Sequence, residues 1–346
     1  MNQQTPKLFR FVPASLLEKQ MTIARSIVTG LVPAIFPAFL HLAQPSTASA
    51  DPLECKQVPV DAKWVVHVDM DAARDTRLWA AINGKLSDND EFQNGIHQIE
   101  QLTNAQFPRD LHDVTLYGRS SDQQAGVVIV HAHVDRHQIE TFLKMNQGYA
   151  SKTVGDYEIL TWDDKGKSMH GAFHDDSTII IANSEELVRD GLEVMDGKSE
   201  CIKDDSPLAA GTKPKLLASI ATADFGSLQK EGPAQSPMLG QVKNGWISVS
   251  ESDGNAVVKA DIVSDTPESA TQLGQSIDGV KAMLGLAGNV KGGKNGQPSP
   301  PQVLAPFVKT LTWKKDDDSL MIEWPINIDK AKDAIAVLSK KNVPAQ

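Results

Sequence analysis

The sequence predicts an α+β protein built from two similar units, each an antiparallel sheet with helices packed on one face. Three observations carry this. Short apolar runs alternate with Asp-, Ser- and Gly-rich turns, the pattern of hairpins. Between them lie stretches with apolar residues three and four apart, the pattern of half-buried helices. The same order of elements then starts again after residue 213. These place a first unit at 51–197, a linker at 198–213 and a second unit at 214–346, which includes a Gly/Pro-rich loop at 285–301.

The first unit opens on the strand Trp64-Val65-Val66-His67-Val68, followed by helical stretches around 73–84 and 91–105. Val114 to Tyr117 and Val127 to Val134 read as a hairpin, and Asp135 to Lys144 as a helix with Ile139, Phe142 and Leu143 on one face. Asp135 with Gln138 three places on forms a capping box. Three strands follow at Tyr157–Trp162, Ser168–Phe173 and Thr178–Ala182. A helix carrying Leu187, Val188, Leu192 and Met195 then stops at Asp196-Gly197.

In the second unit, Leu216–Ala223 corresponds to the opening strand, and Trp246–Glu251 with Ala256–Val263 to the hairpin. A long helix begins at Pro267 behind the N-cap Thr266. Val308–Trp313 and Leu320–Pro325 form a further hairpin, and a closing helix runs from Ile328 to Leu338. Strand 127–134 should overlay on 256–263, and helix 184–196 on 328–338. Leu160-Thr161-Trp162 and Leu311-Thr312-Trp313 stand at the same place in the two orders.

Residues 1–50 read as an export signal with a long charged leader. Ile27 to Leu42 is an apolar stretch interrupted by Pro33 and Pro37, and Ala48-Ser49-Ala50 is an A-x-A cleavage site. The expectation is an exported chain starting at Asp51, periplasmic or extracellular, with no membrane span in the mature part. The alternative is a chain anchored by its uncleaved signal segment. The whole sequence has a net charge of −10, an acidic balance that disfavours nucleic acid and anionic membrane as partners.

The patches Gly126-Val127-Val128-Ile129-Val130, Tyr157-Glu158-Ile159-Leu160-Thr161-Trp162, His170-Gly171-Ala172-Phe173 and Leu192-Glu193-Val194-Met195-Asp196-Gly197, in that order, resemble uncharacterised secreted bacterial proteins with tandem α+β repeats and no assigned activity. The resemblance implies export and a tandem architecture. It transfers no catalytic residue.

Three motifs invite chemistry. His131-Ala132-His133-Val134-Asp135-Arg136-His137 nearly spells the H-x-H-x-D-H of metallo-β-lactamase-like hydrolases, but Arg136 stands where the last histidine belongs. Alternation puts Val128, Val130, Ala132 and Val134 on the core face and His131 and His133 on the other, while His137 falls in the first exposed turn of a helix. Gly288 to Lys294 fits a phosphate-binding loop except that Asn295 replaces the magnesium-binding hydroxyl residue. Asp69 and Asp71 end a strand, where aspartates cap helices.

No cofactor is predicted and no catalytic residue is assigned. The alternative is a transition metal, or a hydrolase, using His131 and His133 with His170 and His174. Cys55 and Cys201 are the chain's two cysteines; a disulfide between them and two separate thiols both remain open. The reading that results is an exported, non-catalytic protein that binds an unknown ligand or envelope partner, or serves a structural role there.

Overall fold

The computed structural model describes residues 52–339, except 121–125, 147, 165, 214, 227–238 and 289–298. The export signal and the Gly288–Lys294 motif beyond its first residue therefore lie outside the described residues.

The chain is α+β, and its strands form one sheet rather than two. In chain order they are β1 (Trp64–Asp69), β2 (Leu111–Gly118), β3 (Gly126–Ala132), β4 (Ala150–Val154), β5 (Tyr157–Asp164), β6 (Lys167–Phe173), β7 (Thr178–Ala182), β8 (Ala218–Thr222), β9 (Val242–Ser252), β10 (Asn255–Ser264), β11 (Thr312–Asp316) and β12 (Ser319–Asn327). The spatial order is β11-β12-β10-β9-β8-β1-β2-β3-β7-β6-β5-β4, antiparallel at every step. The seam between the halves is the β1–β8 ladder, from Trp64 opposite Thr222 to Val68 opposite Ala218. Outward from it, β1-β2-β3-β7 mirrors β8-β9-β10-β12, so the repeated strand order is real.

Two details of the repeat differ from expectation. The position of β11, beside β12, corresponds to β6 beside β7, so the Leu160 and Leu311 patches occupy different places. The terminal helices also lie on opposite faces. Residues paired across a ladder project to the same side. Val65, Tyr117, Ile129, Ile180 and Ala221 share one face and pack with Val188 and Leu192 of α4 (Glu185–Met195). Val249, Ala256 and Ile326 are on the other face and pack with Ile328 and Ala331 of α7 (Ile328–Ser339). Helices 185–195 and 328–339 therefore do not superpose.

Helix ends follow local chemistry. Ser184 caps α4 by accepting from Leu187 N at 3.2 Å, with Glu185 and Glu186 favouring the positive end. Gly197 at φ +70° ends it, where a residue with Cβ would be strained. Gly191 lets α4 close on the sheet, since a Cβ there would meet Ile180 Cδ1 at 2.2 Å. Asp135 caps α3 (Arg136–Leu143) through Gln138 N at 2.9 Å, and Thr266 caps the long helix Pro267–Gly288 through Ser269 N at 3.1 Å.

The cores do not respect the expected unit boundary. Helix α1 (Arg77–Ser87) follows β1, yet its Leu78 and Ala81 are buried among Val249, Ala256 and Ile326 of the second half. Glu251 of β9 accepts from Leu78 N at 2.7 Å and Arg77 N at 3.3 Å, fixing the start of α1. Within the expected linker, Pro207–Thr212 is a 3-10 helix with Leu208, Ala209 and Ala210 in the core. Residues 52–62 form a strap that buries Leu53 and Val58 beside it. Pro300–Val308, expected to begin in a loop, is a helix with prolines at its first positions, behind a Ser299 capping box.

Candidate functional site

The sheet centre carries two adjacent rows of polar residues, all buried except the half-buried His131, on the face covered by α4. One row runs Ser248–Ser219–His67–Thr115 across β9-β8-β1-β2. The next runs Asp69–Asp113–His131–Thr178 across β1-β2-β3-β7. Thr115 Oγ1 donates to Gln57 Oε1 at 3.3 Å, which leaves its oxygen to accept from His67 Nδ1 at 2.9 Å. Gln57 comes from the strap, so the strap completes the row.

His131 is the histidine of the second row. Its Nδ1 lies 2.8 Å from both oxygens of Asp113, so that nitrogen carries the proton. Burial opposes charging the ring, but the hydrogen bond and charge of Asp113 outweigh it, and the His131 pKa is raised above the ordinary histidine value. Asp175 and Glu54 add in the same direction. A histidine ringed by carboxylates in this way is favoured as a cation, whereas a general base must be neutral at its working pH. His131 shares its face with Ile129, as alternation requires, but the expected core face is corrected: the side carrying Val127 and Ile129, not that of Val128 and Val130, is the more deeply buried one.

His133 has left the ladder. The register shift between Leu111 and Asp113 brings His112 beside it. His112 Nδ1 donates to Asp71 Oδ2 at 2.8 Å, and His133 Nδ1 lies 2.9 Å from His112 Nε2. Asp71 is also paired with Arg74, whose guanidinium donates to Arg109 O at 2.8 Å and Leu111 O at 2.9 Å. Asp69 caps the following turn through Ala72 N at 2.7 Å, as expected, but Asp71 holds this chain instead of capping. Nothing in the sequence marks His112, because a bulge leaves no periodic trace.

The four candidate metal ligands do not converge. His131 is opposite Thr178 on β7 and His170 is opposite Ala182, four residues along the same strand, which is about 13 Å. His170 contacts Thr161 Oγ1 at 3.1 Å and Ser168 Oγ at 3.2 Å. His174 Nε2 is 2.8 Å from Asp196 Oδ1. His137 is exposed on the first turn of α3. Among the described residues, no group of three or more His, Cys, Asp or Glu side chains is placed to hold a metal ion.

Asp196, the C-cap of α4, gathers a second cluster. It accepts from Tyr157 OH at 2.6 Å, from His174, and from Lys198 at 3.1 Å. The Tyr157 hydrogen bond leads these in holding its pKa down to about 2. A carboxylate depressed in the folded state contributes stability above its unfolded value of about 3.9, and that contribution is lost as pH falls through the folded value. Asp196→Asn should therefore lower the melting temperature at pH 6, and the gap from wild type should close between pH 4 and pH 2. A gap that stays constant over that range would refute the linkage.

Cys55 and Cys201 are both free thiols. Neither a protein family nor a curated protein matches the sequence. Among solved structures, the chain is similar to TP0453 in crystal form III, with a TM-score of 0.46 and 12% identity over 84% of this chain and 99% of that one. Crystal form I of TP0453 gives 0.43 and 13% over 85% and 99%. The likeness is too distant to give any residue a role. Among the described residues, no helix is long and apolar enough to cross a membrane.

Proposed function

We propose that the protein is an exported, non-catalytic binding or structural component of the periplasm or cell envelope. The supporting observation is a sheet face in the second half that no helix covers among the described residues. On the side that α4 and the strap cover in the first half, the second half presents Lys259, Glu323, Thr312, Lys314 and Met321 to solvent. Met321 is 43% exposed on this surface, opposite Asp261 of β10 and Lys314 of β11, with half-buried Val257 paired to Pro325 farther along the same face. An uncovered sheet face that sets an exposed methionine among charges of both signs has the mixed polar and apolar character of a non-obligate protein contact surface.

The export part of the reading rests on the Ala48-Ser49-Ala50 site and the apolar run before it. The test is crosslinking in the host, followed by capture of the tagged protein. The double variant Met321→Glu and Lys259→Glu should lose the crosslinked partner while keeping its melting temperature, because both side chains are exposed. Retention of the same partner by the folded variant would reject this face as the binding surface.

A further inference from the structure

The fold brings together the only two cysteines in the chain, 146 positions apart in sequence. Pro59 of the strap pairs with Cys201 in an isolated antiparallel bridge. Val60 N donates to Glu200 O at 3.1 Å and Ile202 N to Val58 O at 2.9 Å. Hydrogen bonds that flank a pair in this way define the non-hydrogen-bonded type, with Cα atoms about 4.5 Å apart. One turn earlier, Val58 N donates to Cys55 O at 3.1 Å, which folds Cys55 back toward the same junction. Cys55 packs on the core, and its Sγ donates to Asp204 Oδ1 at 3.4 Å, three residues beyond Cys201. Both thiols are half-buried, so a reagent in solvent can reach them.

We propose that Cys55 and Cys201 are a modification site: a dithiol that a thiol–disulfide oxidant converts to a disulfide, stapling the strap to the segment after α4. This rests on the proposed export, since such oxidants act outside the reducing cytosol. Burial first, and Asp204 second, push the Cys55 thiol up to about 11, which suits it to the second, resolving step. The Cys201 thiolate attacks the oxidant's disulfide, forming a mixed disulfide and expelling one thiolate. Cys55 then loses its proton to solvent and attacks the Cys201 sulfur, expelling the second thiolate. Two protein thiols become one S–S bond; the two electrons and two protons reduce the oxidant to its dithiol.

The staple closes a long loop and ties down the strap that supplies Gln57 to the buried polar row and Leu53 to the core. Reduction of the stapled protein should lower its melting temperature on the order of 10 °C. Cys55→Ser and Cys201→Ser should each abolish that dependence on reductant.

The experiment is intact mass and maleimide labelling of protein purified from its host under acid quench, together with the same purified protein after reduction and reoxidation by oxidised glutathione. The expected result is a mass about 2 Da below the dithiol form and no labelling without reductant. A chain lacking residues 1–50 whose two thiols label fully would overturn the proposal, as would reoxidation that gives only mixed disulfides with glutathione. A chain that keeps residues 1–50 and free thiols in the cell, but closes the bond with glutathione, would support the site and count against export.

Discussion

Leu78→Ala should lower stability by about 2–5 kcal/mol, a drop in melting temperature of roughly 5–15 °C, and should do so for the whole chain at once. Leu78 is 2% exposed on a helix from the first half, but its cavity would open among Val249, Ala256, Phe307 and Ile326 of the second. The β1–β8 ladder then couples that half to the first through five consecutive pairs. Tryptophans report on both sides, Trp162 on β5 and Trp324 on β12. In urea, both probes should follow one transition whose midpoint falls in the variant. Two separate transitions, with only the Trp162 signal shifted, would show that the halves fold as independent units with the boundary at 198–213.

That coupling was hidden from the sequence for an identifiable reason. The strands themselves were legible: Thr178–Ala182 is found where the alternation places it, as are the caps Asp135, Thr266 and Asp69. The face that a helix covers was not. In β3 both parities are apolar, Val127 and Ile129 on one side, Val128 and Val130 on the other, so alternation alone cannot say which side is deepest. The same ambiguity hides that the face of His131 is the one α4 covers. β4 escaped notice because Ala-Ser-Lys-Thr-Val is an exposed edge strand with no apolar alternation. The helix at Pro300 was masked by its two prolines, which suit a first turn as well as a loop.

The polar site was half legible. His131 stood out by its motif, but its partner was sought among histidines, whereas the pairing register supplies an aspartate from the neighbouring strand. Asp113 gave no signal, since a lone aspartate inside an apolar strand has no spacing rule. Only the two-dimensional arrangement of the sheet shows that Asp69, Asp113, His131 and Thr178 form a row.

The Asp113–His131 pair yields the second large effect. Asp113 is 5% exposed, and both of its oxygens face His131. Asp113→Ala removes the partner of a largely buried imidazolium and should cost about 2–4 kcal/mol, somewhat less than a fully buried pair because His131 retains some solvent. The pH dependence separates charge from packing. A histidine whose pKa is raised in the folded state contributes stability that is complete below the unfolded value of about 6.5. That contribution is lost as pH rises through the higher folded value. Wild-type melting temperature should therefore carry a declining component above pH 6.5. Asp113→Asn keeps an acceptor near the ring but removes the charge, so burial is opposed only by the smaller effects of Asp175 and Glu54 and the His131 pKa falls. The declining component should vanish or reverse in that variant, and the His131 ring protons should titrate at lower pH by NMR. An unchanged slope, with an unchanged His131 titration, would mean that Asp113 holds the ring in place without stabilising its charge.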